Sequence, residues 1–174
     1  MSRFFNTSIP NFQIRYAERG DAPQLLEFIR ELAAFEKLLH AVGADVETLE
    51  RNIFDKRYAE VVLGELEGRP VSFALFFHTF STFLGAPSLY LEDLYVQPHA
   101  RSLGIGTALL GFLAALAVER GCGRMEWSVL NWNAGAIALY QRLGAAPMDD
   151  WTVYRLSGAA LQSLASSFEG MPVP

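Results

Sequence analysis

The chain of 174 residues has a single cysteine, Cys122, which excludes an internal disulfide and suits a reducing compartment. It sits between two glycines in a turn, away from the surroundings of a catalytic thiol, and reads as inert. Apolar runs are short, and none reaches the roughly 18 residues that a membrane span needs. The opening stretch MSRFFNTSIPNF lacks the sustained apolar core and small-residue cleavage site of a secretory leader, so the cytoplasm is the expected compartment. Positive charge is not in excess. Fourteen Lys and Arg against 19 Asp and Glu leave a net charge of −5 and a pI near 5.2, which argues against nucleic acid as the main partner. Mild acidity is compatible with a cationic substrate, and equally with a surface charged only for solubility. His40, His78 and His99 are scattered without metal-ligand spacing, so no metal is expected.

What is present is a globular composition, 51% hydrophobic and 19% charged, sufficient for one domain over residues 1–174 with a core from about 12 to 164. Phe12 to Tyr16 alternates and reads as a first strand. Asp21 then reads as an N-cap with Pro23 in the first turn, and apolar residues from Leu25 to Leu38 recur at helical spacing, so a helix to about Leu39 is expected. A shorter helix follows from Asp45 to near Phe54. Strands are expected at Ala59–Leu66, Val71–Phe80 and Leu89–Val96, the first two joined at Gly68-Arg69-Pro70. A helix runs from the Gly104 turn to a C-cap near Gly121, then a strand over Arg124–Val129, a helix over Ala134–Leu143, a strand over Trp151–Leu156 and a terminal helix from Ser157. This order implies an α/β (α+β) fold, a mixed sheet with helices on both faces.

The most informative stretch is YLEDLYVQPHARSLGIGT, from Tyr90 to Thr107. A strand carrying Glu92 and Asp93 leads through a turn into Arg101-Ser102-Leu103-Gly104-Ile105-Gly106, where a helix starts. Glycines let the backbone approach a ligand closely, and a helix start presents N–H groups with no intrahelical acceptor. Those donors, the helix dipole and Arg101 suit a pyrophosphate. A P-loop is excluded because no lysine follows Gly106, and the Rossmann fingerprint fails because Leu109 stands where its third glycine belongs. A second cluster, WSVLNWNAGAIALYQRLGA, follows from Trp127 to Ala145.

These motifs, together with IRELAAFEK near the start, resemble the GNAT superfamily of acetyl-CoA-dependent N-acetyltransferases. The signature Arg/Gln-x-x-Gly-x-Gly/Ala stands here as Arg101, Gly104 and Gly106. Within the superfamily the chain is similar to the branch of diamine (spermidine/spermine) and thialysine N-acetyltransferases. The resemblance implies a mostly antiparallel sheet with a splay between the Leu89–Val96 and Arg124–Val129 strands, the fourth and fifth predicted. It also implies acetyl-CoA as cosubstrate, direct transfer in a ternary complex, and a homodimer. Exposed backbone at Leu94, Tyr95 and Val96 would hold the pantetheine like an added strand. Arg101 and the N–H groups of Ser102, Leu103, Gly104, Ile105, Gly106 and Thr107 would hold the pyrophosphate. Asn133, Ala134, Ala136, Tyr140 and Leu143 complete the implied cofactor contacts.

The chemistry asks for a base, because a lysine-like amine has a pKa of about 10.4 and must lose a proton before it attacks. The resemblance favours Glu92, acting directly or through water. Strand alternation sends Glu92 and Asp93 to opposite faces unless a bulge intervenes. Tyr140, two helical turns beyond Asn133, is the implied general acid, since a phenol can protonate a departing thiolate. Asn133 would bond the pantetheine, cap its own helix, or both, and the Leu94 N–H could stabilise a developing oxyanion. Carried over from the branch, the amine pocket comprises Phe35, Glu36, Glu92, Glu126, Trp127 and Ser128, although Glu31 and Glu36 could equally form a solvated helix face. Where the polyamine enzymes carry an acid this chain has Ser81, near Phe83. A short amine or an amino acid with a side-chain amine, such as thialysine or lysine, is therefore as plausible an acceptor as spermine. Two rivals remain at this point: acetylation of protein lysines or N-termini, and a non-catalytic acyl-CoA-binding module.

Overall fold

The computed structural model describes residues 3–168 and Gly170, which fall into two compact units, one through Ser128 and one from Val129 onward. The first contains a six-stranded sheet in the order β1-β2-β3-β4-β5-β6. These are β1 (Phe4–Asn6), β2 (Phe12–Tyr16), β3 (Glu60–Leu66), β4 (Arg69–Ser81), β5 (Ala86–Val96) and β6 (Arg124–Trp127). Every neighbouring pair is antiparallel except β5 and β6, which run parallel. The mixed sheet expected from the element order, and the mostly antiparallel pairing that the resemblance implies, are both observed. β1 is an addition: three residues are too few to show a period in the sequence, and they pair with Gln13, Ile14 and Arg15.

Helix α1 (Ala22–Phe35) covers one face. Its Leu25 and Phe28 are buried against Val61, Leu63, Phe73 and Tyr95, with Ile53 closing the cluster. Phe28 stacks on Phe73 at 5.8 Å between ring centres, within the offset-stacking range. Helix α3 (Ile105–Glu119) packs on the sheet through Leu109, Leu110, Leu113 and Leu116. Just past its end the Arg120 guanidinium lies over the Phe76 ring and pairs with Glu60, which assigns Phe76 to the α3 side.

Helix α1 stops four residues before the expected Leu39. Lys37 takes the left-handed conformation at φ 62°, and the Leu38 and Lys37 N–H groups bond back to the Ala33 and Ala34 carbonyls at 2.7 and 3.1 Å. That is a Schellman termination with lysine where glycine usually stands, and apolar spacing continues past it into a turn at Leu39–Ala41. Asp21 also departs from the expectation. Its carboxylate makes no cap to α1 and takes Arg15 at 2.7 and 3.0 Å and the Glu18 N–H at 2.7 Å. The next helix starts as predicted, with Asp45 accepting from the Thr48 N–H at 2.8 Å above α2 (Val46–Leu49), and widens into a π-helical turn over Glu50–Asp55.

The second unit holds α4 (Ala134–Arg142) and α5 (Gly158–Ser166). The strand expected over Trp151–Leu156 is not formed. Alternation supplies a face but no partner, and a strand exists only where another backbone takes its N–H and C=O groups. No pairing includes these residues, and Trp151, Val153 and Tyr154 are exposed. Among the described residues no helix is long and apolar enough to cross a membrane.

Close approach within the sheet makes a first prediction. A Cβ built on Gly64 would lie 2.3 Å from Ser72 Oγ and 2.5 Å from Phe12 Cζ, both on buried residues. Gly64→Ala should destabilise the fold by about 1–3 kcal/mol in urea titrations, and a midpoint equal to the parent's would refute that packing.

Candidate active site

The parallel ladder between β5 and β6 runs from Ser88↔Arg124 to Leu91↔Trp127 and ends there. β5 continues through Glu92, Asp93, Leu94, Tyr95 and Val96, paired only to β4 on its other side. The strand therefore leaves one backbone edge available along this stretch, which is the expected splay.

A bulge sets what this stretch presents. Leu75 pairs with Asp93 while its neighbour Phe76 pairs with Leu91, so Glu92 is an extra residue with no partner opposite. Cross-strand partners share a face. Phe73 and Tyr95 belong to the α1 core, and Leu75 packs on it, so Asp93 turns toward α1. Leu91 shares the other face with Phe76 and is buried there. Without the extra residue, Leu91 and Asp93 would share a face. Both acids can consequently serve one site: Glu92 stands exposed on the bulge, and Asp93 is half-buried beside it.

Asp93 carries the electrostatic signature of that position. Burial, then the neighbouring charges of Glu92 and Glu36, push its carboxyl up to about 6. Burial also raises Glu36, which caps the end of α1. Among the described residues neither Glu92 nor Asp93 has a cationic partner. Three carboxylates in one neighbourhood, none of them in an ion pair among the described residues, make a place where an ammonium gains and a carboxylate loses.

Beyond β5 the chain bends through Arg101 into α3. Ser102 and Gly104 have φ of 65° and 85°, values that glycine takes without strain and serine rarely takes. The Ala108 N–H bonds to the Gly104 carbonyl at 2.9 Å, so the N–H groups of Ile105, Gly106 and Thr107 precede the first intrahelical bond. Fifteen residues of helix stand behind them. This donor set is complementary to an anion such as a diphosphate, and the open edge of residues 92–96 is complementary to the amides of an extended pantetheine. On both counts the residues present fit acetyl-CoA.

The model of the Acetyltransferase (GNAT) family matches residues 24–145. The chain belongs to this acetyltransferase family. It is 37% identical over 165 residues to a thialysine N-epsilon-acetyltransferase of Mus musculus, covering 88% of this chain and 96% of that protein. A thialysine N-epsilon-acetyltransferase of Caenorhabditis elegans is 36% identical over 160 residues, covering 89% and 98%. Among solved structures, an integron cassette protein from the mobile metagenome of V. cholerae shares the fold, with a TM-score of 0.76 at 24% identity over 90% of this chain and 99% of that one.

In this acetyltransferase the structure gathers most of the first unit's expected residues. Leu94, Tyr95 and Val96 lie on the open stretch of β5, and Arg101 to Thr107 form the bend and helix start. Phe35 and Glu36 end α1, with Glu36 close enough to raise Asp93. Trp127 closes the ladder opposite Leu91. Ser128 shares a hydrogen bond with the Tyr90 hydroxyl at 3.0 Å, and Glu126 is paired with Arg124 at 3.0 Å, which leaves Glu126 partly neutralised. In the second unit Asn133 caps α4 by accepting from the Ala136 N–H at 3.3 Å, one of the two roles expected for it. Ala134 and Ala136 lie in the first turn, Leu143 follows the helix, and burial raises the Tyr140 phenol above its ordinary value.

Asp93 lies outside the residues that the sequence assigns to the site, because its placement depends on a register shift that no residue type announces. Its titration yields a prediction. A carboxyl whose pKa is higher folded than unfolded takes up a proton on folding, so its ionisation destabilises the fold. That cost is absent below about pH 4, grows through pH 6 and is complete above it. Relative to Asp93→Asn, the parent should lose on the order of 2 kcal/mol of unfolding free energy between pH 4 and 7.5. Parallel stability curves for the two proteins would contradict the assignment.

Proposed function

We propose that this enzyme transfers an acetyl group from acetyl-CoA to the side-chain amine of a small amino acid of the thialysine or lysine type, or to a short diamine. The observation that carries the reading is the group of carboxylates Glu36, Glu92 and Asp93 beside the end of the parallel ladder. Similarity to two thialysine N-epsilon-acetyltransferases supports the same acceptor class.

Acetyl-CoA, when bound, supplies the activated acyl group. The N–H groups of residues 102–107 hold its diphosphate, and the free edge of Leu94, Tyr95 and Val96 takes the pantetheine amides. Glu36 and Asp93 hold the ammonium of the acceptor by charge, with Phe35, Glu126, Trp127 and Ser128 shaping the pocket. Glu92, exposed on the bulge, accepts the proton that the nitrogen must lose, directly or through water. Asp93, with its carboxyl near 6, can share that proton whenever it is ionised. The C–N bond forms and the C–S bond breaks, and the Tyr140 hydroxyl returns a proton to the departing sulfur. Its raised pKa keeps that proton in place at neutral pH.

The family match extends from residue 24 to 145 and so includes parts of both compact units, which supports a single catalytic domain. A cytoplasmic homodimer completes the proposal, supported by the lone cysteine and by the exposed Trp151, Val153 and Tyr154. Light scattering that returned a monomer mass would remove the dimer.

A CoA-thiol release assay over thialysine, lysine, putrescine, spermidine and spermine tests the acceptor. Thialysine or another short amine should be turned over fastest, and Tyr140→Phe should lower kcat by roughly 10²-fold. Exclusive acetylation of peptides would replace the small-amine reading with a protein acceptor, and no turnover of any acceptor would favour a binding module.

A further inference from the structure

One side chain lies between the two halves of the proposed site. Arg101 Nε donates to the Val96 carbonyl at 3.0 Å, which anchors the side chain at the end of β5. Its guanidinium carbon is 5.1 Å from the centre of the Phe35 ring and 5.8 Å from that of Tyr95, within cation–π range. Phe35 is the last residue of α1 and precedes Glu36, whereas Arg101 opens the bend whose N–H groups face outward from the helix start. The same end of α1 is held a second time. Gln97 Nε2 donates to both Glu31 oxygens at 3.1 Å, and Glu31 stands one helical turn before Phe35. Glu31 and Arg101 both act on the Tyr95 hydroxyl. Arg101 makes no ion pair among the described residues, so its terminal N–H groups are not committed to a carboxylate.

The geometry points to Arg101 as a coupling residue. Its planar face stays on Phe35 while its terminal N–H groups meet the anion at the bend, so that coenzyme and amine each strengthen the other's binding. The inference rests on the acetyltransferase reading above and goes beyond it in naming how the two ligands communicate. An anion at the bend restrains the guanidinium, the guanidinium restrains Phe35, and Glu36 then reaches the ammonium with its backbone already ordered. Equilibrium coupling of this kind is reciprocal. Lysine cannot replace arginine here, because an ammonium supplies charge without a flat, forked surface.

Calorimetry on the full chain tests this without turnover. Thialysine is titrated into the free protein and into protein saturated with CoA, and CoA is titrated into each variant alone. The parent should bind thialysine roughly fivefold or more tightly when CoA is present. In Arg101→Lys and Phe35→Leu that factor should fall to near one, the double variant should lose no more than either single one, and CoA should still bind. Thermal melts identify any variant that has lost its fold, and the conservative Phe35→Leu change provides a second route to the same contact. Coupling retained in both single variants would overturn the inference. A parent that binds CoA but takes thialysine equally well with and without it would also overturn the inference, leaving the acetyltransferase reading intact. A parent that bound no CoA would overturn both.

Discussion

The extra residue in β5 is the constraint on which the rest of the site depends. Leu89 and Leu91 are needed in the core, and Asp93 and Tyr95 are needed two and four residues further on against α1. Simple alternation cannot deliver both sets, since it would keep all four side chains on one face. Glu92 absorbs the difference and is itself left exposed, at the residue after the parallel ladder with β6 ends. One irregularity thus serves three purposes: it fills the core on the α3 side, turns a carboxylate toward α1, and holds a second carboxylate at the mouth of an open backbone edge.

Charge follows from that arrangement. A lone surface carboxylate would titrate in the ordinary range and hold an ammonium weakly against water. Half-burial beside two like charges makes Asp93 resist ionisation, and the natural relief is an incoming cation. The anion-seeking bend at Ser102–Thr107 lies a few residues along the same chain, with Arg101 between the two. The proposed sites for a cation and for an anion therefore belong to one continuous stretch, and the stacking of Arg101 on Phe35 joins that stretch to the end of α1, where Glu36 stands.

Much of this was legible in the sequence because it rests on local rules. Gly104 at φ 85° marks a helix start, Asp45 caps α2, and Asn133 caps α4, each by residue type and position. The acidic strand and the two-glycine bend were readable for the same reason. What escaped depends on tertiary context. The bulge is a register difference between two strands and has no residue signature at Glu92. Lys37 ends α1 in a conformation that its side chain gives no reason to expect. Trp151–Leu156 alternates like a strand yet makes no pairing, because alternation says nothing about a partner. Asp93 was a visible acid whose importance comes from burial and from Glu36, more than fifty residues away in the chain.

The central claim is that backbone N–H groups, more than any side chain, receive the coenzyme. Amide hydrogen exchange followed by mass spectrometry, with and without saturating CoA, addresses it directly. Slowed exchange at residues 102–107 and along the 92–96 edge, with β1 to β3 unchanged, is the predicted result. Exchange at 102–107 that stays the same while CoA is demonstrably bound would contradict it.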